Sequence, residues 1–159
     1  MKPKEIRWPG PPPFIYTKAQ AAADVLTIKK QIVHLPGAIN NFRQSQGLER
    51  IPLKDELCRS ATRKTEHMVI HGYYGHEGPE GNQAWAWDLA RDEGYSSPYV
   101  AENLMECYVE SAAERMCKIW EDSLGHRRAM LGNWHEFGVG FAINEKGNAY
   151  VAAHFATRR

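Results

Sequence analysis

Two short runs hold the side chains best placed to do chemistry. Ala101-Glu102-Asn103 offers a carboxylate, and Ser123-Leu124-Gly125-His126-Arg127 offers an imidazole just after a glycine, with the aromatic anchor Trp120 between them. Followed by Arg127, Arg128, Met130 and Leu131, His126 reads as a side chain held at a helix start, titrating near neutral pH and free to take a proton or a metal. His76, between Gly75 and Glu77, lies in a glycine-rich stretch, where a histidine taken alone is more often a hydrogen-bonded loop residue than a ligand. His67 and His71 stand at i and i+4, a chelating separation on a helix, but no acid or cysteine accompanies them, so a surface or core-edge role is expected. Ser123 precedes His126 by three residues without a Gly-x-Ser-x-Gly elbow or an oxyanion motif, and reads as a cap rather than a nucleophile.

Elements must position these groups. Residues 1–16 place five prolines around Trp8 and predict an extended arm pinned by Trp8 and Phe14. From Thr17 to about His34, Ala21, Val25, Ile28 and Ile32 recur at helical spacing, with Pro36-Gly37 as the stop. A second helix is expected over 38–46, ending at Gly47. A third, with Pro52 in its first turn and Asp55 and Glu56 at its positive end, repeats Leu57, Ala61 and Met68 up to Gly72. From Gly72 to Tyr99, glycines, prolines, Trp85, Trp87 and Tyr95 predict a long loop region. Glu102 then precedes a run of mixed polarity leading into an acid-rich helix over 111–121, with Met116 and Trp120 on one face. Phe137, Val139, Phe141 and Ile143 alternate with small residues as a half-buried strand, and a loop over 145–148 returns a partner strand over 149–156. Helices, a loop region, more helices and a terminal hairpin suggest an α+β sandwich.

The bulk numbers exclude more than they select. A chain of 159 residues suits one domain, and 43% apolar with 25% charged residues argues against disorder and against a coiled coil. A formal net charge of +1 gives no footprint for nucleic acid, and phosphate loops and dinucleotide fingerprints are absent. No transmembrane segment is present, and the first ten residues are not followed by the apolar core of a signal peptide. This fits either a cytoplasmic protein or a mature domain without its leader. Cys58, Cys107 and Cys117 permit at most one internal disulfide with one thiol left over, and at least two of them read as small buried apolar side chains.

Taken in order, Asn40-x-x-Arg43, Gly47-Leu48-x-x-Ile51, Gly72-Tyr73-Tyr74-Gly75-His76, Gly94-Tyr95, Ala101-Glu102-Asn103, Trp120-x-x-Ser123-x-Gly125-His126-Arg127 and Gly138-Val139-Gly140 resemble the CAP superfamily. This family comprises the cysteine-rich secretory proteins, antigen 5 and the plant pathogenesis-related proteins, and the likeness is strongest to its bacterial SCP-like branch. The resemblance implies an α-β-α sandwich over 38–159, with 1–37 as a proline-rich arm and an extra helix. It also implies a groove lined by two histidines and acidic residues that holds a divalent metal in some members. His76 and His126 match the two histidines, Glu102 matches the acid of the Glu-Asn motif, and Tyr74 and Ser123 fall in the groove. Many eukaryotic members carry a second glutamate where this chain has Ser123, so the groove here has one negative charge fewer.

Three readings stand beside one another. The preferred one is an extracellular or periplasmic binding module whose groove weakly holds Zn²⁺ or another divalent cation, with Trp85, Trp87, Tyr95 and Tyr99 on a surface for a peptide, glycan or lipid. Another is a metal-dependent hydrolase, a peptidase for example, using His76, His126 and Glu102 as base. The third is a cytosolic protein-interaction domain with no groove function. Against the metal readings stands a plainer one, in which Glu102, Ser123, His76 and His126 form a hydrogen-bonded network joining loop to helix.

Overall fold

The computed structural model describes residues 17–158. The arm expected over 1–16 and its anchors Trp8 and Phe14 lie outside them. Chain order is α1 (Lys18–Ile32), α2 (Leu35–Ser45), α3 (Asp55–His71), α4 (Ala86–Asp92), β1 (Val100–Cys107), α5 (Ala113–Asp122), α6 (Leu124–Met130), β2 (Glu136–Ile143) and β3 (Ala149–Ala156). The three strands form one antiparallel sheet in the order β1-β3-β2, which leaves β1 at an edge.

Strand side chains alternate between faces, and the sheet buries both. On one face Leu104 and Ala152 pack with Ala61 and Met68 of α3, while Leu57 joins Ala90, Tyr95 and Ala156. On the other, Met105, Val151, Ala153, Phe155, Phe137 and Val139 pack with Ile28 and Ile32 of α1, Ile39 and Phe42 of α2, and Met116 and Trp120 of α5. The result is the expected α-β-α sandwich. Gly138 and Gly140 let α3 lie directly on the sheet. A Cβ at Gly138 would stand 2.2 Å from Cys58 N and Leu57 C, and one at Gly140 would stand 2.3 Å from Thr62 N.

Several boundaries differ from the sequence reading, each for a physical reason. Pro36 and Gly37 do not stop α1; they sit inside the first turn of α2, where a missing amide proton costs nothing. Pro52 is not in α3. Its carbonyl accepts from Phe137 N at 3.1 Å, so it belongs to the bridge between Leu53 and Phe137 that ties the α3 approach to β2. The segment from Gly72 to Tyr99 is not all loop, since α4 forms within it, capped by Trp85. The run after Glu102 is a third strand, β1, because Leu104 and Met105 serve opposite layers rather than one helical face. α3 ends at Gly72 as expected, there in the left-handed region (φ 63°), and all three cysteines are free.

Candidate functional site

Glu102 lies on β1 directly opposite His154 of β3, and the pair shares the face covered by α3. His154 is fully buried, and its Nε2 lies 2.8 Å from Glu102 Oε2. Its Nδ1 lies 2.7 Å from the hydroxyl of Ser60, which itself lies 3.0 Å from Leu57 O on α3. The other carboxylate oxygen, Oε1, takes His76 Nδ1 at 2.8 Å. Burial alone would raise the pKa of Glu102. The hydrogen bonds from His154 and His76 and the charge of Lys64 more than offset that, holding the carboxyl below its usual range.

His76 reaches this position because a buried lysine holds its loop. Lys64 of α3 is fully buried, and its ammonium donates to Ala84 O at 2.9 Å, to Tyr73 Oη at 3.3 Å and to His76 O. It stands 4.0 Å from Glu102 Oε1. Burial pulls its pKa down while Glu102 pulls it up. Three acceptors and a nearby carboxylate are what a buried ammonium requires. The His76 imidazole is half exposed, and with Nδ1 spent on Glu102 its Nε2 points away from the network.

His126 is the third residue of α6, as the sequence predicts, and Asn103 of β1 donates to its carbonyl at 3.0 Å. The ring lies 6.5 Å from that of Trp120, whose indole donates to Leu104 O. Its Nδ1 is buried without a hydrogen-bond partner, which leaves Nε2 as the atom able to face a ligand. Burial, then the charge of His76, lowers its pKa below the usual histidine value. His76 and His126 are therefore close enough to feel one another, one from the loop before β1 and the other from the helix after it. Ser123 caps α6 by position but makes no side-chain cap hydrogen bond. The network of the plainer reading thus has different members: Ser60 and His154 take the place of Ser123 and the His126 ring. Tyr74, half exposed, leans its ring to 5.6 Å from Tyr150, and burial followed by the charge of Glu106 pushes its pKa up to about 12.

As a donor set this arrangement is sparse. Two imidazole Nε2 atoms are available, both Glu102 oxygens are already occupied, and the described residues contain no group of three or more His, Cys, Asp or Glu placed to hold a metal. A divalent ion here would keep most of its positions for water or a ligand.

The model of the cysteine-rich secretory protein family matches residues 37–155, three quarters of the chain. The chain belongs to the CAP family. A curated relative, the uncharacterised protein YkwD of Bacillus subtilis (strain 168), is 29% identical over 126 residues, covering 79% of this chain and 46% of its own length. The chain thus spans about half the length of that relative. An outer surface protein from Borrelia burgdorferi superposes with a TM-score of 0.71 at 15% identity, over 82% of this chain and 95% of that one. An extracellular SCP-domain protein from Bacillus anthracis gives 0.64 at 16%, over 82% and 41%. At such identities the likeness concerns the CAP fold alone. No helix among the described residues is long and apolar enough to cross a membrane.

Of the CAP positions carried over from the motifs, His76 and Glu102 are brought into contact, and the charge of His76 is felt at His126. Ser60, Lys64, Tyr73 and His154 were missed. Lys64 had a readable signal: Leu57, Ala61, Lys64 and Met68 fall on one helical stripe, so a lysine interrupts an otherwise apolar face. His154 had less, because a histidine in a short strand names neither its face nor its cross-strand partner. Of the surface aromatics, Tyr95 is core, its hydroxyl donating to Glu136 at 2.7 Å. Trp85 and Trp87 stack on one another, with Trp87 and Tyr99 exposed.

Proposed function

We propose that this CAP domain is an extracellular or periplasmic binding module in which His76 and His126 together hold a divalent cation such as Zn²⁺ weakly. The remaining positions of the ion are open to water or to a peptide, glycan or lipid ligand lying along Tyr74. The observation that carries this reading is the double use of Glu102. With one oxygen on each of two histidines, it serves as the acceptor that fixes imidazole orientation, and His76 Nε2 is left facing outward. The same observation weighs against the hydrolase reading, since a carboxylate engaged on both oxygens is poorly placed to take a proton from water. The location draws support from the relatives, one described as an outer surface protein and another as an extracellular protein. The test is calorimetric titration of Zn²⁺ into chelator-stripped protein, with His76→Ala and His126→Ala in parallel. Saturable binding lost in both variants is expected; binding retained in either variant, or none in the parent, overturns the reading.

A further inference from the structure

We infer that Ser60 and His154 are positioning residues that select the tautomer of His76 through Glu102. The argument is one of hydrogen-bond direction. A carboxylate oxygen only accepts, so both imidazole nitrogens facing Glu102 must carry protons: Nε2–H of His154 and Nδ1–H of His76. At the far end, a Ser60 proton given to His154 Nδ1 goes with a neutral His154 protonated on Nε2, whereas a Ser60 proton given to Leu57 O makes Nδ1 a donor as well, and His154, still donating from Nε2 to the carboxylate, is then the imidazolium. A neutral His76 with its proton on Nδ1 has a lone pair on Nε2, the atom that faces outward. An exposed neutral histidine in water prefers the opposite tautomer, with its proton on Nε2, and cannot donate that nitrogen to an ion.

The hydrogen-bond chain Ser60–His154–Glu102–His76 depends on features beyond its own members. His154 lies between Glu102 on β1 and Gly138 on β2 in the sheet register. Gly138 has no side chain, so the backbone of α3 lies against the sheet at that point and Ser60 comes within reach of His154. The Glu102 side chain is only 5% exposed, so an oxygen without its histidine would be left unpaired. With His154 gone, the carboxylate would swing toward Lys64 Nζ, now 4.0 Å from Oε1, and release His76.

This inference rests on the metal reading only for its consequence, and its main test is made without metal. Two-bond nitrogen–proton correlation spectra of the metal-free protein, at a pH where imidazoles are neutral, report which nitrogen of His76 is protonated. We expect Nδ1–H in the parent, a majority of Nε2–H in His154→Leu, and the parental tautomer in His154→Gln. A glutamine amide donates to Glu102 and accepts from Ser60, so it restores both ends of the link. Ser60→Ala, which deletes only the far end, provides the same readout should His154→Leu fail to fold. An unchanged His76 tautomer in His154→Leu or Ser60→Ala overturns the inference, as does a failure of His154→Gln to restore it. Where Zn²⁺ binds the parent, His154→Leu weakens it roughly 10- to 100-fold and His154→Gln recovers most of that. If the parent binds no Zn²⁺, the metal reading falls while the tautomer result still stands or falls alone.

Discussion

Replacing Gly138 with alanine tests whether the contact between α3 and the sheet is what assembles the site. The added Cβ would meet backbone atoms of α3, Cys58 N and Leu57 C at 2.2 Å and Leu57 O at 2.6 Å, and backbone cannot rotate aside as a side chain can. To regain ordinary contact the helix must lift by roughly 1 Å. Overpacking of this kind costs about 1–3 kcal/mol, and the absence of a flexible neighbour puts Gly138→Ala at the upper end, about 3 kcal/mol. For a domain of this size that is a fall in Tm of roughly 10 °C. The same lift carries Ser60 away from His154, now 2.7 Å apart, so the His76 tautomer should change with stability. Urea denaturation with an unchanged m-value isolates the stability term. Gly37→Ala is the internal control: it lies in α2 with nothing within 4 Å of the added Cβ, and should stabilise by about 0.5–1 kcal/mol. A Gly138→Ala variant within about 0.5 kcal/mol of the parent would refute the reasoning.

Two further perturbations address the buried charges. Lys64→Met keeps the length of the side chain but leaves Ala84 O and His76 O without their donor. It should cost about 3 kcal/mol and make the segment from Tyr73 to Trp85 the first site of limited proteolysis. Tyr95→Phe removes the donor to Glu136, whose carboxyl is held below its usual range chiefly by the hydrogen bond from Arg158, against burial, and then by Tyr95. A depressed carboxylate contributes stability above its unfolded value and loses it as pH falls through the folded one. The loss in Tyr95→Phe, about 1–2 kcal/mol at neutral pH, should therefore shrink in acid below about pH 4, as read by denaturation across pH.

Local periodicity made α1, α3, α5 and the β2–β3 hairpin legible, because each carries its core face in its own spacing: Ile28 and Ile32, Leu57, Ala61 and Met68, Met116 and Trp120, and Phe137 and Val139. The order of short motifs in turn points to Glu102, His76 and His126 as members of one family site. What local spacing could not reveal was β1. Its residues serve two different layers, so no single face announces a strand, and its partner β3 follows only after α5, α6 and β2. The same holds for the inner half of the site. That Glu102 faces His154, that Gly138 lets α3 settle until Ser60 touches it, and that Lys64 turns inward to three carbonyl and hydroxyl acceptors are facts of register and layer contact. The sequence by itself determined which side chains could do chemistry. Only tertiary structure decided which nitrogen of His76 is free to do it, because that choice is passed along hydrogen bonds between residues 26 to 94 positions apart in the chain, groups that meet only when the sheet and α3 close on one another.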